Sequence, residues 1–327
     1  MENRTNGLNY TFSILQVTFK SSIIPLTDEV LEYLMDNERL VLPKECDSDN
    51  YNGKEDDYED FGDVDWSTVE EGETAEQKSF PEFSAKVAQE MKALGGEVFP
   101  KLNWSCPKDA SWVGMGGSLK CTSLSQLYLL LKSSDFVAHD LTMPFSDCDD
   151  QSPDAQSAVQ YCLVLRKWRE VNPGTEWRCF VKDGRLVAAC QRDTSSHYSH
   201  MAREEDSIRR DLVTFFREQI SDKFPLNSYV FDVTRPGKDR VILMDFNPFG
   251  SPTDTLLFES WEDIDEIQVI SSCTQSLHLM DTPFQMNDEE LDGLDLRFIR
   301  ESVGVQPSPH RHYSLPRWII LHQLKKF

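Results

Sequence analysis

Tyr229-Val-Phe-Asp-Val-Thr-Arg-Pro-Gly-Lys-Asp-Arg-Val-Ile-Leu-Met-Asp-Phe-Asn-Pro-Phe-Gly-Ser-Pro-Thr-Asp-Thr-Leu-Leu-Phe258 contains two apolar, β-branched runs around a turn. The runs are Tyr229–Val233 and Val241–Phe246, and the Pro236-Gly237-Lys238-Asp239 between them marks a β-hairpin. Each run carries an acid among its hydrophobes, Asp232 in the first and Asp245 in the second, with Asn247 two residues on. Residues two apart on a strand share a face, so Asp245 and Asn247 point the same way, and a hairpin can bring Asp232 beside them. Three oxygen-bearing side chains at one spot suit a hard divalent cation such as Mg²⁺, which commonly keeps phosphate as a further partner. The alternative is that both acids sit in solvent at strand ends while Asn247-Pro248 opens a turn. Burying an unpaired carboxylate in Val-Phe-Asp-Val or Leu-Met-Asp-Phe is costly, which favours a metal or a basic partner.

Working outward, further strands precede the hairpin. Tyr161-Cys-Leu-Val-Leu-Arg-Lys-Trp168 reads as a buried strand ending in two bases and an indole, and Glu176-Trp-Arg-Cys-Phe-Val181 as a second. Lys182-Asp183-Gly184-Arg185 spells a tight turn, and Leu186–Arg192 follows as a third strand. Arg166, Lys167, Arg178 and Arg192 then recur in one antiparallel sheet, and basic side chains in a sheet need anions. Structural salt bridges to the many acids would satisfy each singly. Together they read as a phosphate cradle facing the acid cluster, with Lys101 and Asn103 in Phe99-Pro-Lys-Leu-Asn-Trp-Ser as further contacts and Arg166–Trp168 as a hinge for a base. Gly114-Met-Gly-Gly117 lacks the spacing of a P-loop or a dinucleotide fingerprint.

Helical periodicity appears at Phe83, Val87, Met91 and Leu94, closed by Gly95-Gly96, and again at Leu124, Leu127, Tyr128 and Leu131. A helix over Glu204–Phe224 carries Ile208, Leu212, Phe215, Phe216 and Ile220 on one face, a stripe that suits core packing. Thr27-Asp28-Glu29 signals the start of a short helix over Val30–Met35. Between Glu45 and Glu76 stand fourteen acids and one base, Lys54, too little apolar surface to offset ordering. The implied organisation is an N-terminal segment 1–44, an acidic disordered insertion 45–79, subdomains 80–157 and 158–265, and a C-terminal region 266–327.

Composition narrows the function. The chain has 327 residues, 39% of them hydrophobic, enough for a sizeable core, and a net charge of −23. That charge argues against a nucleic-acid partner and suits a basic protein surface. The eight cysteines include no Cys-x-x-Cys pair, so neither a zinc site nor a redox dithiol is indicated. With no basic-then-apolar leader and no apolar run long enough to span a bilayer, a cytoplasmic protein with no membrane partner is expected. The histidine pairs His197…His200 and His310-x-His312 have no third ligand in reach and read as surface residues. No Ser/His/Asp or Cys/His arrangement stands out, so a hydrolase is not indicated. Metal, bases and a strand-edge hinge over two halves describe an α+β, ATP-grasp-like fold. Its two subdomains, with mainly antiparallel sheets, would clasp a nucleotide.

Phe99-Pro-Lys-Leu-Asn-Trp-Ser, Leu129–Phe136, Leu163-Val-Leu-Arg-Lys-Trp, Glu176-Trp-Arg-Cys-Phe-Val, Gln191-Arg192, Val230-Phe-Asp and Leu243-Met-Asp-Phe-Asn-Pro-Phe resemble the cell division cycle protein 123 family. The resemblance runs from about Phe80 to Trp261 and implies an ATP-grasp fold that binds ATP and Mg²⁺. It further implies an assembly chaperone that joins the gamma subunit of eukaryotic translation initiation factor 2 to the alpha and beta subunits, supporting cell-cycle progression; the chain itself is expected to be a monomer. The chain departs from that family's expected acidic, helix-forming tail by ending Trp318-Ile-Ile-Leu-His-Gln-Leu-Lys-Lys-Phe. A competing function on the same ATP site is a ligase that activates a carboxylate as an acyl phosphate and joins it to an amine or thiol. Deletion of the acidic run is expected to shift the melting temperature by only a few degrees, corresponding to about 1 kcal/mol or less. Cooperative loss of structure in a thermal melt would contradict that expectation.

Overall fold

The computed structural model describes residues 18–36, 40–47, 77–146, 159–251, 253–267 and 293–301. Most of the acidic run, residues 1–17, residues 147–158 (nearly all of the polar stretch Ser146–Ser157, read as a linker), His310-x-His312 and the C-terminal tail lie outside the described residues. The described residues fall into two compact units, one from Lys20 to Trp168 and one from Arg169 onward that also takes in Thr18 and Phe19.

The first unit is built on a three-stranded antiparallel sheet, β1 (Ser21–Pro25), β2 (Val98–Lys101) and β3 (Cys162–Lys167), in the order β1-β3-β2. The central β3 is paired on both edges, which suits the unbroken apolar run Leu163-Val164-Leu165. This pairing moves the division between the units from 157/158, expected from the polar linker, to Trp168/Arg169. It also draws the N-terminal segment into the first unit's sheet.

Four helices cover that sheet: α1 (Asp28–Met35), α2 (Pro81–Ala93), α3 (Leu124–Lys132) and α4 (Asp135–Thr142). Thr27, Ser123 and Ser134 cap α1, α3 and α4, each side chain accepting a bond from the backbone N–H three residues on. Helix α2 opens on Pro81, which needs no amide partner, and ends where Gly95 and Gly96 take φ of 104° and 84°. Its buried Val87 and Met91 pack with Leu127, Tyr128, Leu131, Leu163 and Leu165. The acidic run is built into the fold at its start. Cys46 lies in this core, and the Glu45 carboxylate accepts from the Ser79 hydroxyl at 2.5 Å and the Phe80 amide at 3.1 Å. The deletion that leaves the fold intact is therefore the one that spares Glu45–Asp47.

The second unit holds β4 (Glu176–Lys182), β5 (Arg185–Gln191), β6 (Tyr229–Gly237), β7 (Arg240–Pro248) and β8 (Asp295–Arg297) in the order β7-β6-β4-β5-β8. All neighbours are antiparallel except β8, which runs parallel to β5 and gave no sequence signal of its own. Both expected hairpins are present. Asp183 and Gly184 turn with φ of 49° and 75°, the pair of positive values that matches strand twist in a two-residue loop. The bases are split: Arg178 and Arg192 belong to this sheet region, whereas Arg166 and Lys167 lie on β3 of the other unit. One antiparallel sheet carrying all four, the sequence expectation, is ruled out by the β1-β3-β2 pairing.

One face of the five-stranded sheet takes α5 (Ser199–Arg203) and α6 (Glu205–Phe215), the latter continuing as a π turn over Phe216–Ile220. The expected stripe of Ile208, Leu212, Phe215, Phe216 and Ile220 packs there on Trp177, Cys179, Val181, Phe231 and Val233. The opposite face carries Phe180, Ala188, Cys190 and Val230 beneath Phe258 and Ile264, the latter from α7 (Trp261–Asp265). A buried guanidinium ties the hairpin to α6. Arg235 donates to Asp211 at 2.6 Å, Glu204 at 2.7 Å and Ser207 at 2.8 Å, and the Asp239 amide also donates to Asp211. Arg235→Ala would leave Asp211 buried without its cation, so a loss of about 3–5 kcal/mol is expected, read from the urea midpoint.

Candidate active site on the five-stranded sheet

The hairpin register sets Asp232 directly opposite Asp245, and β4 sets Arg178 directly opposite Asp232. Opposed residues share a face, so one row across the sheet reads Cys190, Arg178, Asp232, Asp245. It lies at the edge of the apolar face beneath Phe258. Arg178 is 7% exposed and Asp232 2%. The guanidinium grips both carboxylate oxygens, Nε to Oδ1 at 2.8 Å and Nη2 to Oδ2 at 2.9 Å, while Nη1 donates to the Asp254 carbonyl at 2.8 Å. A fork of this kind is among the stronger charge-assisted pairings.

Around this pair the row is unevenly satisfied. The Asn247 amide nitrogen donates to Asp232 Oδ2 at 3.2 Å, which turns its carbonyl oxygen the other way. Arg192, just beyond β5, donates from Nη1 to Glu176 Oε2 at 2.9 Å. Its Nε lies 3.3 Å from Asp232 Oδ2 yet is misaligned for donation, and is buried without a hydrogen-bond partner among the described residues. Burial works against the Arg192 charge, but the carboxylates of Asp232, Glu176 and Asp245 outweigh it and hold the guanidinium above its ordinary pKa. Asp245 is half-buried and accepts from the Phe246 amide at 3.1 Å.

Three carboxylates thus face two guanidiniums, and Asp232 and Asp245 are like charges in a directly opposed pair, an arrangement that favours added positive charge. Carboxylate and amide oxygens are the donors a hard cation takes, so Asp232, Asp245 and Asn247 fit Mg²⁺ in kind. Among the described residues no three His, Cys, Asp or Glu side chains gather as a metal-binding group. Arg178 has its fork committed to Asp232, so its evident work is to hold that carboxylate rather than to wait for a phosphate.

The other five residues singled out in the sequence lie in the first unit. Asn103 is engaged on both sides of its amide, donating to the Gln160 carbonyl at 2.9 Å and accepting from the Cys162 amide at 2.8 Å. It closes the end of β3. Lys101, on β2, is 5% exposed. Its charge opposes burial at Asp140, whose carboxyl is pushed above the usual range and accepts from the Ser105 amide and hydroxyl at 2.7 and 2.8 Å. Arg166 and Lys167 stand opposite Phe99 and Val98 and are half-buried. Trp168 continues the strand pairing through its amide to the Glu97 carbonyl at 2.9 Å, and its indole Nε1 is buried without a partner among the described residues. Gly114–Gly117 forms short 3₁₀ turns, with the Gly117 amide donating to the Gly114 carbonyl at 3.0 Å.

Sequence reading missed Glu176 and Asp140. Glu176 had a signal, since it stands two residues before Arg178 on one strand and shares its face. Asp140 had none: only the packing of α4 brings it to Ser105.

Asp232→Ala would strand the Arg178 charge, and a loss of about 3–5 kcal/mol is expected in chemical denaturation. Asp245→Ala, at a half-buried edge position, should cost about 1 kcal/mol or less, which makes it the cleaner probe of the site.

The chain matches the D123 family model over residues 12–321. It is 42% identical over 315 residues to the translation initiation factor eIF2 assembly protein of Xenopus laevis, covering 95% of this chain and 89% of that one. Identity to the protein of the same name from Danio rerio is 43% over 92% of this chain and 83% of that one. Cell division cycle protein 123 of Phaeosphaeria nodorum is 40% identical over 81% of this chain and 69% of its own. The solved structure of Cdc123 from Schizosaccharomyces pombe superposes with a TM-score of 0.62 at 35% identity, covering 79% of this chain and 89% of that one. The mixed α+β architecture agrees with these matches, and the chain belongs to the D123 family, that of cell division cycle protein 123.

Proposed function

We propose that the chain is an ATP- and Mg²⁺-binding assembly chaperone of eukaryotic translation initiation factor 2. In this reading it takes hold of the gamma subunit, promotes formation of the heterotrimer, and so supports translation initiation and cell-cycle progression. It acts as a monomer in the cytoplasm. The observation that carries the reading is the 42% identity, over 95% of the chain, to a relative that bears the eIF2 assembly name. A net charge of −23 is in keeping with holding a basic protein surface. Among the described residues no helix is long and apolar enough to cross a membrane.

The nucleotide part of the reading, and with it the ATP-grasp assignment, is supported by the sheet row. Asp232 and Asp245, with Asn247 once its amide turns from Asp232, would hold Mg²⁺ through oxygen, and the bound ion would supply positive charge against phosphate. Arg178 would keep the Asp232 carboxylate oriented, and Arg192 would meet phosphate with the donors that Glu176 leaves open. On the first unit Lys101 and Trp168 stay candidates for nucleotide contact, the latter through its unpartnered indole donor. Asn103 is a weaker one, since both ends of its amide serve the backbone.

ATP·Mg²⁺ at about a hundred times its dissociation constant should stabilise the folded chain by roughly 2.7 kcal/mol, seen as a raised melting temperature. Asp245→Ala should abolish that response and weaken capture of the purified gamma subunit. An unchanged response in folded Asp245→Ala protein would remove the metal assignment. Rapid ATP consumption stimulated by a small carboxylic acid would favour the ATP-grasp ligase instead.

A further inference from the structure

We propose that Glu176 is a positioning residue of the nucleotide site, acting through Arg192 to aim a guanidinium at the phosphates of a nucleoside triphosphate; the proposal rests on the nucleotide reading above. Glu176 holds Arg192 at two points. Its carbonyl accepts the Arg192 amide at 3.0 Å, and its Oε2 accepts Nη1 at 2.9 Å. The first contact sets where the side chain leaves the sheet, and the second sets the plane of the guanidinium.

The two arginines of the row are thereby distinguished. Arg178 has a side chain only 8% exposed and its fork filled by Asp232, so it has no outward edge to offer. The Arg192 side chain is 35% exposed, and the Glu176 side chain is 16% exposed. A guanidinium carries five N–H donors, of which Arg192 commits one, from Nη1, to protein among the described residues. Its Nε is caught beside Asp232 without alignment, and Nη2 has no protein acceptor among the described residues. Such a group, charged and turned by a fixed carboxylate, fits an anion with several oxygens in a plane-matching arrangement, as a phosphate chain supplies.

Without Glu176, the nearest carboxylates to Arg192 are Asp232 and Asp245, and their attraction would draw the guanidinium inward across the row. Glu176 stands on β4, between Arg192 and the β6 strand that carries Asp232, and its bond to Nη1 competes with that pull. A carboxylate placed near a phosphate site is repulsive in itself, so its presence needs a geometric reason, and the two-point hold is that reason.

Calorimetric titration of the full chain with ATP·Mg²⁺ tests the assignment. Glu176→Ala should weaken binding about tenfold, in line with loss of one charge-assisted hydrogen bond. Glu176→Gln keeps an acceptor oxygen in place and should retain affinity within about threefold, so it serves also if the alanine variant folds poorly. Because Glu176 acts through Arg192, Glu176→Ala added to Arg192→Ala should cause no further loss, whereas an independent structural role would add its own. Additive losses, unchanged affinity in Glu176→Ala, or tighter binding from relieved repulsion would each overturn the proposal while leaving the nucleotide reading standing. No binding of ATP·Mg²⁺ by the unsubstituted chain would overturn both.

Discussion

The buried fork between Arg178 and Asp232 is the constraint around which the second unit is arranged. Two charges leave water here, and the cost is met only because Nε and Nη2 reach the two carboxylate oxygens at 2.8 and 2.9 Å. That geometry exists in one register of β4 against β6. A slip of one residue would turn Arg178 toward the helix face, among Trp177 and Val181, and strand both charges in hydrocarbon. The third arm of Arg178, on the Asp254 carbonyl, fastens the covering segment that brings Phe258 onto Phe180. One ion pair therefore fixes strand register, the seat of the covering segment and the direction of the Asp232 carboxylate.

The unit contains a second buried arginine, and it is satisfied differently. Arg235 is closed on all sides: Nε, Nη1 and Nη2 each meet an oxygen, on Asp211, Glu204 and Ser207. It joins two elements and offers nothing outward. The row at Asp232 differs in having two carboxylates in direct opposition, an arginine nitrogen without a partner, and an edge at Asp245 and Asn247 that is only half covered. Uneven satisfaction of this kind, in charged groups that burial makes costly, is what marks the row as a candidate site.

In the first unit, residue types that suit ligand contact also serve the fold. Asn103 uses its amide as a substitute for backbone pairing beyond the end of β3, a task that needs one donor and one acceptor in a plane. Asp140 reaches from α4 to fasten the turn at Ser105, and the charge of Lys101 lowers the cost of keeping that carboxyl ionised under burial. Charge placed inside this small α+β unit is compensated across elements, and the polar pair in the core around Val87, Leu127 and Leu163, Ser84 with Tyr128, is hydrogen-bonded.

Short-range pattern determined a great deal of this protein. Apolar, β-branched runs and turn chemistry located β4, β5, β6 and β7, and the 3.6-residue stripe located α2, α3 and most of α6, because each signal is local and set by the backbone itself. The acids Asp232 and Asp245 were legible as groups in need of a partner for the same reason: a lone carboxylate in an apolar strand is costly to bury unpaired. What the tertiary structure alone decided is pairing across distance. That β3 joins β1 and β2, so that Arg166 and Lys167 belong to a different sheet from Arg178, depends on which strand edges meet. The parallel contact of β8 with β5 joins residues over a hundred positions apart and has no local sign. Whether an arginine faces outward or is consumed by a carboxylate, as Arg178 is and Arg192 is not, follows from register and burial, which no single stretch of sequence contains.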